Sequence, residues 1–161
     1  MLRRALLVLP LAALALPART QEDGPVKVYA SPLAAVKAAY DPDLSEGERP
    51  YSKALRTLVR KARAKSMRDK EALPGLDFDP TLNAQDADDD FRTTLRYAVE
   101  PRPNRNALVI VHLRALRTAP DSTLHFEVAP EGDGFVIADI LNPAPKGGWR
   151  WSKLLAAGLK G

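Results

Sequence analysis

The chain has 161 residues, with 24 Lys and Arg against 20 Asp and Glu, two His and no Cys. That inventory excludes disulfides, thiolate nucleophiles, cysteine-ligated zinc and a three-His metal site. A hydrophobic share of 45% beside 27% charged residues is globular rather than disordered composition, and no P-loop, GxGxxG, GxSxG or HExxH motif occurs.

Residues 1–20 read as a secretory signal peptide. Arg3 and Arg4 form a basic start, Ala5 to Leu16 is apolar apart from Pro10, and small residues follow at Ala13, Ala15 and Ala18. The apolar run is shorter than the roughly 20 residues a membrane span needs, so no transmembrane anchor is expected after cleavage. Removal takes away Arg3, Arg4 and Arg19 and leaves 21 basic against 20 acidic side chains. The basicity that would argue for nucleic acid disappears with the leader. The expected location is periplasmic or secreted.

Residues 21–30 form a polar leader, and 31–161 a single domain. Ser31-Pro32 starts a helix: Ser caps, and Pro fits the first helical position. Leu33, Val36, Ala39 and Tyr40 continue it at helical spacing, and Asp41-Pro42 ends it. After a polar loop over 43–50, a longer helix is predicted over 51–71. Its apolar stripe is Tyr51, Ala54, Leu55, Leu58, Val59, Ala62 and Met67. Eight bases occupy its other face. The charge then inverts, with seven acids and no base from Glu71 to Asp90. Beyond this the period changes to two. Strands are predicted over 91–99, 107–116, 123–129 and 135–141, and a short helix over 151–159. The expected fold class is α+β: N-terminal helices on a curved, cone-like, four-stranded antiparallel sheet, with a pocket where helix and sheet diverge. Leu55, Leu58, Ile110 and Ile137 are expected to share one core.

Asp77-Phe78-Asp79-Pro80, Asn83-Ala84-Gln85-Asp86 and Phe135-Val136-Ile137-Ala138-Asp139-Ile140, preceded by the "YSKALRTLV" helix, resemble a known group. They are similar to the small exported bacterial proteins of the domain of unknown function 3828 family, itself akin to the nuclear-transport-factor-2-like, cystatin-like cone. The resemblance spans roughly residues 30–158. It implies a fold and an export route only, since the family has no established activity.

Several residues are candidates for chemistry. Clustered carboxylates suit Ca²⁺. An EF-hand over Asp86, Asp88 and Asp90 would need Gly at 91 and Glu at 97, where the chain has Phe91 and Tyr97. The acidic run therefore reads as a solvated loop facing the basic helix, and neither metal nor cofactor is expected. Arg60, Arg63 and Lys65 are the candidate contacts for a polyanion; the plainer reading is an amphipathic helix with its charges in water. His112 shares a strand face with Leu108, Ile110 and Arg114. Facing a cavity near Tyr97, Arg96, Asp79 or Asp139, it could act as a general base. Asp139 interrupts an apolar strand. Either it points outward, or it is buried and paired with an arginine such as Arg92 or Arg96. Asp79, Gln85, Asp86, Arg96 and Arg114 are the candidate ligand contacts, although Gln85 and Asp86 also suit bonding within a turn. The leading expectation is an exported cell-envelope domain that binds an envelope ligand or protein without catalysis. The alternatives are a small-molecule enzyme working through a His/Asp pair, and an inhibitor or immunity-type partner. A deep pocket lined by His, Asp and Tyr would favour the enzyme; a shallow pocket on a bare sheet face would favour binding.

Overall fold

A computed structural model describes residues 26–161. The signal-peptide reading of residues 1–20 lies outside them, as does 21–25 of the polar leader. The fold is α+β. Helices α1 (Pro32–Ala39) and α2 (Lys53–Asp69) precede the strands β1 (Arg96–Pro101), β2 (Ala107–Leu113), β3 (Ser122–Glu131), β4 (Gly134–Asn142) and β5 (Trp149–Arg150), and α3 (Trp151–Lys160) closes the chain. The strands form one antiparallel sheet in the order β1-β2-β3-β4-β5.

Local chemistry sets the helix ends. Ser31 Oγ accepts the Ala34 N–H at 3.1 Å, with Pro32 in the first turn. Ser52 Oγ caps α2 by accepting the Leu55 N–H at 3.2 Å. Helix α2 ends on Lys70 in the left-handed region, φ 56°.

One face of the sheet carries the core. Val109, Val111, Leu124, Phe126, Val128, Ile137 and Ile140 are all buried there. Helix α1 lies over this face and touches β1 through β4. Its last residue is followed by Tyr40, whose ring packs against Phe91, Tyr97 and Phe126 at centroid distances of 6.4, 6.4 and 6.1 Å. Helix α2 packs on α3 and reaches the sheet at β4, so the shorter helix crosses the sheet and the longer one buttresses its far edge. Leu55, Val59 and Ala62 are the buried residues of α2.

Among the described residues the sheet has five strands where four are expected. Trp149 and Arg150 pair with Asn142 and Leu141, a strand too short to show a period. The strand expected from Phe91 begins only at Arg96. Phe91–Thr94 is a 3-10 turn, in which the Thr93 and Thr94 hydroxyls donate to the Asp90 and Phe91 carbonyls. Such local bonds displace strand pairing. Met67 is 81% exposed and leaves the apolar stripe. Ala54 is exposed, and Leu58 is half-buried against the core. Ile110 faces outward, because the register places its neighbours Val109 and Val111 on the core side.

Candidate functional site

The expected cavity between helix and sheet is filled by side chains. Phe126, Leu124, Val109 and Val111 are fully buried beneath α1. The opposite face of the sheet is bare: Ala98, Leu108, Ile110, His125 and Leu141 are all partly or fully exposed. Among the described residues, depressions open to the surface beside His112 and beside Arg63.

Three candidate residues meet at one of these. The register aligns Arg96 on β1, His112 on β2 and Thr123 on β3 across the open face. His112 is exposed, and its Nδ1 lies 3.0 Å from Thr123 Oγ1. Arg114, just past β2, donates its N–H to Thr94 Oγ1 at 3.0 Å and its Nε–H to Asp121 at 2.6 Å. That carboxylate holds the Arg114 guanidinium above its usual range. Arg96 spends Nη1 on the Thr93 and Leu95 carbonyls at 3.0 and 2.9 Å, so Nε and Nη2 lie outside those bonds. Together with Thr93 and Thr94, these side chains line a depression of ≈ 380 Å³. Two guanidiniums, an imidazole and hydroxyls against a single carboxylate suit an anionic group.

Asp139 is not part of it. From the register, it sits two strands across and four residues along from His112, about 16 Å by ordinary sheet spacings. It pairs across the sheet with Glu127, but β5 reaches only Leu141 and Asn142. Beside Asp139 the chain has already turned into α3. Its Oδ1 accepts the Ile140 and Ser152 N–H groups at 2.9 and 3.1 Å. Its Oδ2 accepts the Ser152 hydroxyl at 2.6 Å and Arg150 Nη1 at 2.8 Å. Asp139 is therefore buried and paired, with Arg150 rather than Arg92 or Arg96. It caps a helix whose own N-cap, Arg150, makes no side-chain cap. Arg150 also grips Glu127 through two 2.7 Å bonds, which lower the Glu127 carboxyl below its ordinary range.

The remaining candidates scatter. Tyr97 lies on the core side of β1, edge-on to Tyr40, with Lys37 Nζ 5.6 Å from its ring. Burial raises its phenol. Asp79 Oδ1 accepts the Thr81 N–H and hydroxyl at 2.8 and 2.7 Å, and the Asp79 N–H donates to the Ala84 carbonyl. Gln85 Nε2 donates to the Asp77 carbonyl at 3.1 Å, and Asp86 is exposed. The 77–86 segment is thus tied to itself. It is also tied to β5, because Asn83 Oδ1 accepts the Trp149 indole N–H at 2.9 Å. Arg63 lines a second depression of ≈ 280 Å³ with Arg49, Tyr51, Asp79 and Thr81, where desolvation lowers its guanidinium. Lys65 pairs with Asp69 at 2.8 Å, and Arg60 is on the exposed surface. The acidic run ties to the β2–β3 connection: Asp90 pairs with Arg117 at 2.7 Å, and Asp88 accepts the Arg117 N–H.

Sequence reading gave no role to Asn83, Trp149 or Arg150. All three act through contacts across the fold, which no local pattern marks. Compared with family models, curated proteins and solved structures, the chain has no significant match in any of the three.

Proposed function

We propose that the protein is an exported, non-enzymatic binding domain of the cell envelope, and that Arg96, His112 and Arg114 hold an anionic group of its ligand on the open face of the sheet. The observation that carries this reading is the convergence of those three side chains on one shallow depression. The basic, apolar and small-residue order of residues 1–20 supports export. An acid–base pair has no such support, since Asp139 spends both oxygens on holding α3 in place. Kinship with the exported family that the chain resembles, and the cone-like form of that fold, belong to the same proposal. Of the segments carrying the resemblance, 77–80 and 83–86 build the loop docked on Trp149, while the other two belong to α2 and β4.

Titration of inorganic phosphate at low salt, followed by amide chemical shifts, tests the site. The shifts should centre on Arg96, His112 and Arg114. A charge-assisted hydrogen bond contributes about 1.5–3 kcal/mol, so Arg96→Ala or Arg114→Ala should each weaken binding about tenfold or more. Shifts spread evenly over the surface, or unchanged in both variants, would remove the site. Intact-mass analysis of an envelope fraction tests export: the chain should begin between Leu16 and Gln21, and retention of Met1 in a cytoplasmic product would overturn it.

A further inference from the structure

The free edge of the sheet is self-complementary. Among the described residues no strand pairs with the outer edge of β1, and five of its six residues are exposed. The hairpin fixes which backbone groups point outward. The Arg102 N–H donates to the Asn106 carbonyl at 2.9 Å, which makes 102 and 106 a hydrogen-bonded pair. Bonded and non-bonded pairs alternate along an antiparallel ladder. Glu100, Ala98 and Arg96 therefore bond to β2, while the N–H and C=O groups of Tyr97 and Val99 point into solvent. Pro101 falls in the outward set, where its missing N–H costs no bond to β2.

We propose that a second copy of this chain pairs with that edge, β1 against β1, antiparallel about a two-fold axis through Ala98. In this register Tyr97 of one copy faces Val99 of the other, and the outward groups of these residues meet as hydrogen-bonded pairs, four main-chain bonds in all. Ala98 faces Ala98. Arg96 faces Glu100 twice, on the same side of the sheet as each other, so each copy supplies the charge that its partner lacks. Val99 lies in the core-side row with Val109 and Phe126, yet is 43% exposed. The pairing sets it beside the partner's tyrosine, a favourable cross-strand combination. Glu100 now pairs with Arg102, both half-exposed, a contact of little energy that the new one replaces. Any other register that joins the outward groups places Arg96 and Glu100 out of opposition. The interface is isologous and closes after two copies. The pairing does not rest on the ligand reading, because it follows from backbone direction and from the order Arg-Tyr-Ala-Val-Glu, but the partner's Glu100 and a ligand anion compete for the same Arg96 guanidinium.

Two experiments on the purified protein decide it. The first uses the axis. Directly opposed residues in a non-bonded pair have Cα atoms about 4.5 Å apart, within the reach of a disulfide. The chain has no cysteine, so Ala98→Cys should oxidise to a covalent dimer, while exposed Ala64→Cys on α2 should not. The second uses charge. Sedimentation velocity on the unaltered protein should show association rising with concentration through about 10 µM to 1 mM, the weak range for so small an interface. Glu100→Arg, at a half-exposed position, should abolish that rise, and Arg96→Glu with Glu100→Arg should restore it. A monomer at every concentration, equal cross-linking at 98 and 64, or a double variant no better than Glu100→Arg would overturn the proposal.

Discussion

Asp139 accepts four hydrogen bonds while only 4% exposed, and three of the donors belong to the start of α3 or to Arg150 beside it. Removing one partner of a fully buried pair costs about 3–5 kcal/mol, because the other charge is left uncompensated; in this pair Arg150 is 31% exposed. Here Glu127 continues to hold Arg150, so Asp139→Ala should fall at the lower end of that range. Asp139→Asn keeps an acceptor for the backbone N–H groups and should cost less. Urea unfolding of the two variants checks this, and an unchanged midpoint for Asp139→Ala would show that the carboxylate does not hold the helix. The sequence showed that Asp139 broke an apolar strand and that burial would require a cation. It could not show which cation, because Arg150 reaches Asp139 only through the turn from β5 into α3. His112 illustrates the complementary limit. Alternation placed it correctly with Leu108, Ile110 and Arg114, but β2 is apolar on both faces. The pattern therefore did not say which face turns inward.

At the scale of elements, the legible ones carried their own signals. Ser31-Pro32 announced α1 through its cap and its proline, and the Val- and Ile-rich runs announced β2 and β4. The misread ones looked right for the wrong reason. Phe91, Thr93 and Leu95 alternate like a strand, yet the threonine hydroxyls bond locally and wind the segment into a turn. Helix α2 shows what a periodic stripe does and does not contain. Leu55, Val59 and Ala62 follow it, and the next position on that face is Ser66, not Met67. Amphipathicity also says that a face is buried without saying against what, so the pattern did not show that α1 crosses the sheet while α2 packs on α3. Leu55 is 2% exposed and Met67 81%. Leu55→Ala should cost about 2–5 kcal/mol through lost transfer energy and the cavity left behind, whereas Met67→Ala should stay within about 0.5 kcal/mol. Thermal melts of the pair test the packing of α2, and equal melting temperatures would mean that its buried face is misassigned.

The whole molecule has a predictable response to pH because its ionisable groups sit unevenly. Burial raises the phenols of Tyr40 and Tyr51 above the ordinary value near 10, and nearby Asp79 adds to both. Tyr40 also donates its hydroxyl to the Thr81 carbonyl at 2.9 Å, a bond that needs the proton. Glu127 is lowered by Arg150. The two directions act at opposite ends of the scale. A lowered carboxyl supplies stability that is present above its unfolded value near 4.3 and is lost as the pH falls through its folded value. A raised phenol supplies stability that is complete below about pH 10. Above that, the unfolded chain releases protons that the folded chain keeps, so stability falls as the pH rises toward the folded value. The urea midpoint should therefore be flat from about pH 5 to pH 9 and decline on both sides. Each buried phenol can add up to about 1.4 kcal/mol per pH unit to the alkaline slope. Tyr51→Phe removes one of them and should make the decline between pH 10 and 11.5 visibly shallower, whatever it does to stability at neutral pH. Lysine ionisation is common to both proteins and cancels in the comparison. Parallel alkaline curves for Tyr51→Phe and the unaltered chain would mean that this phenol titrates in water, and that the contact between Tyr51 and Trp151 at 5.3 Å is not part of a dry core.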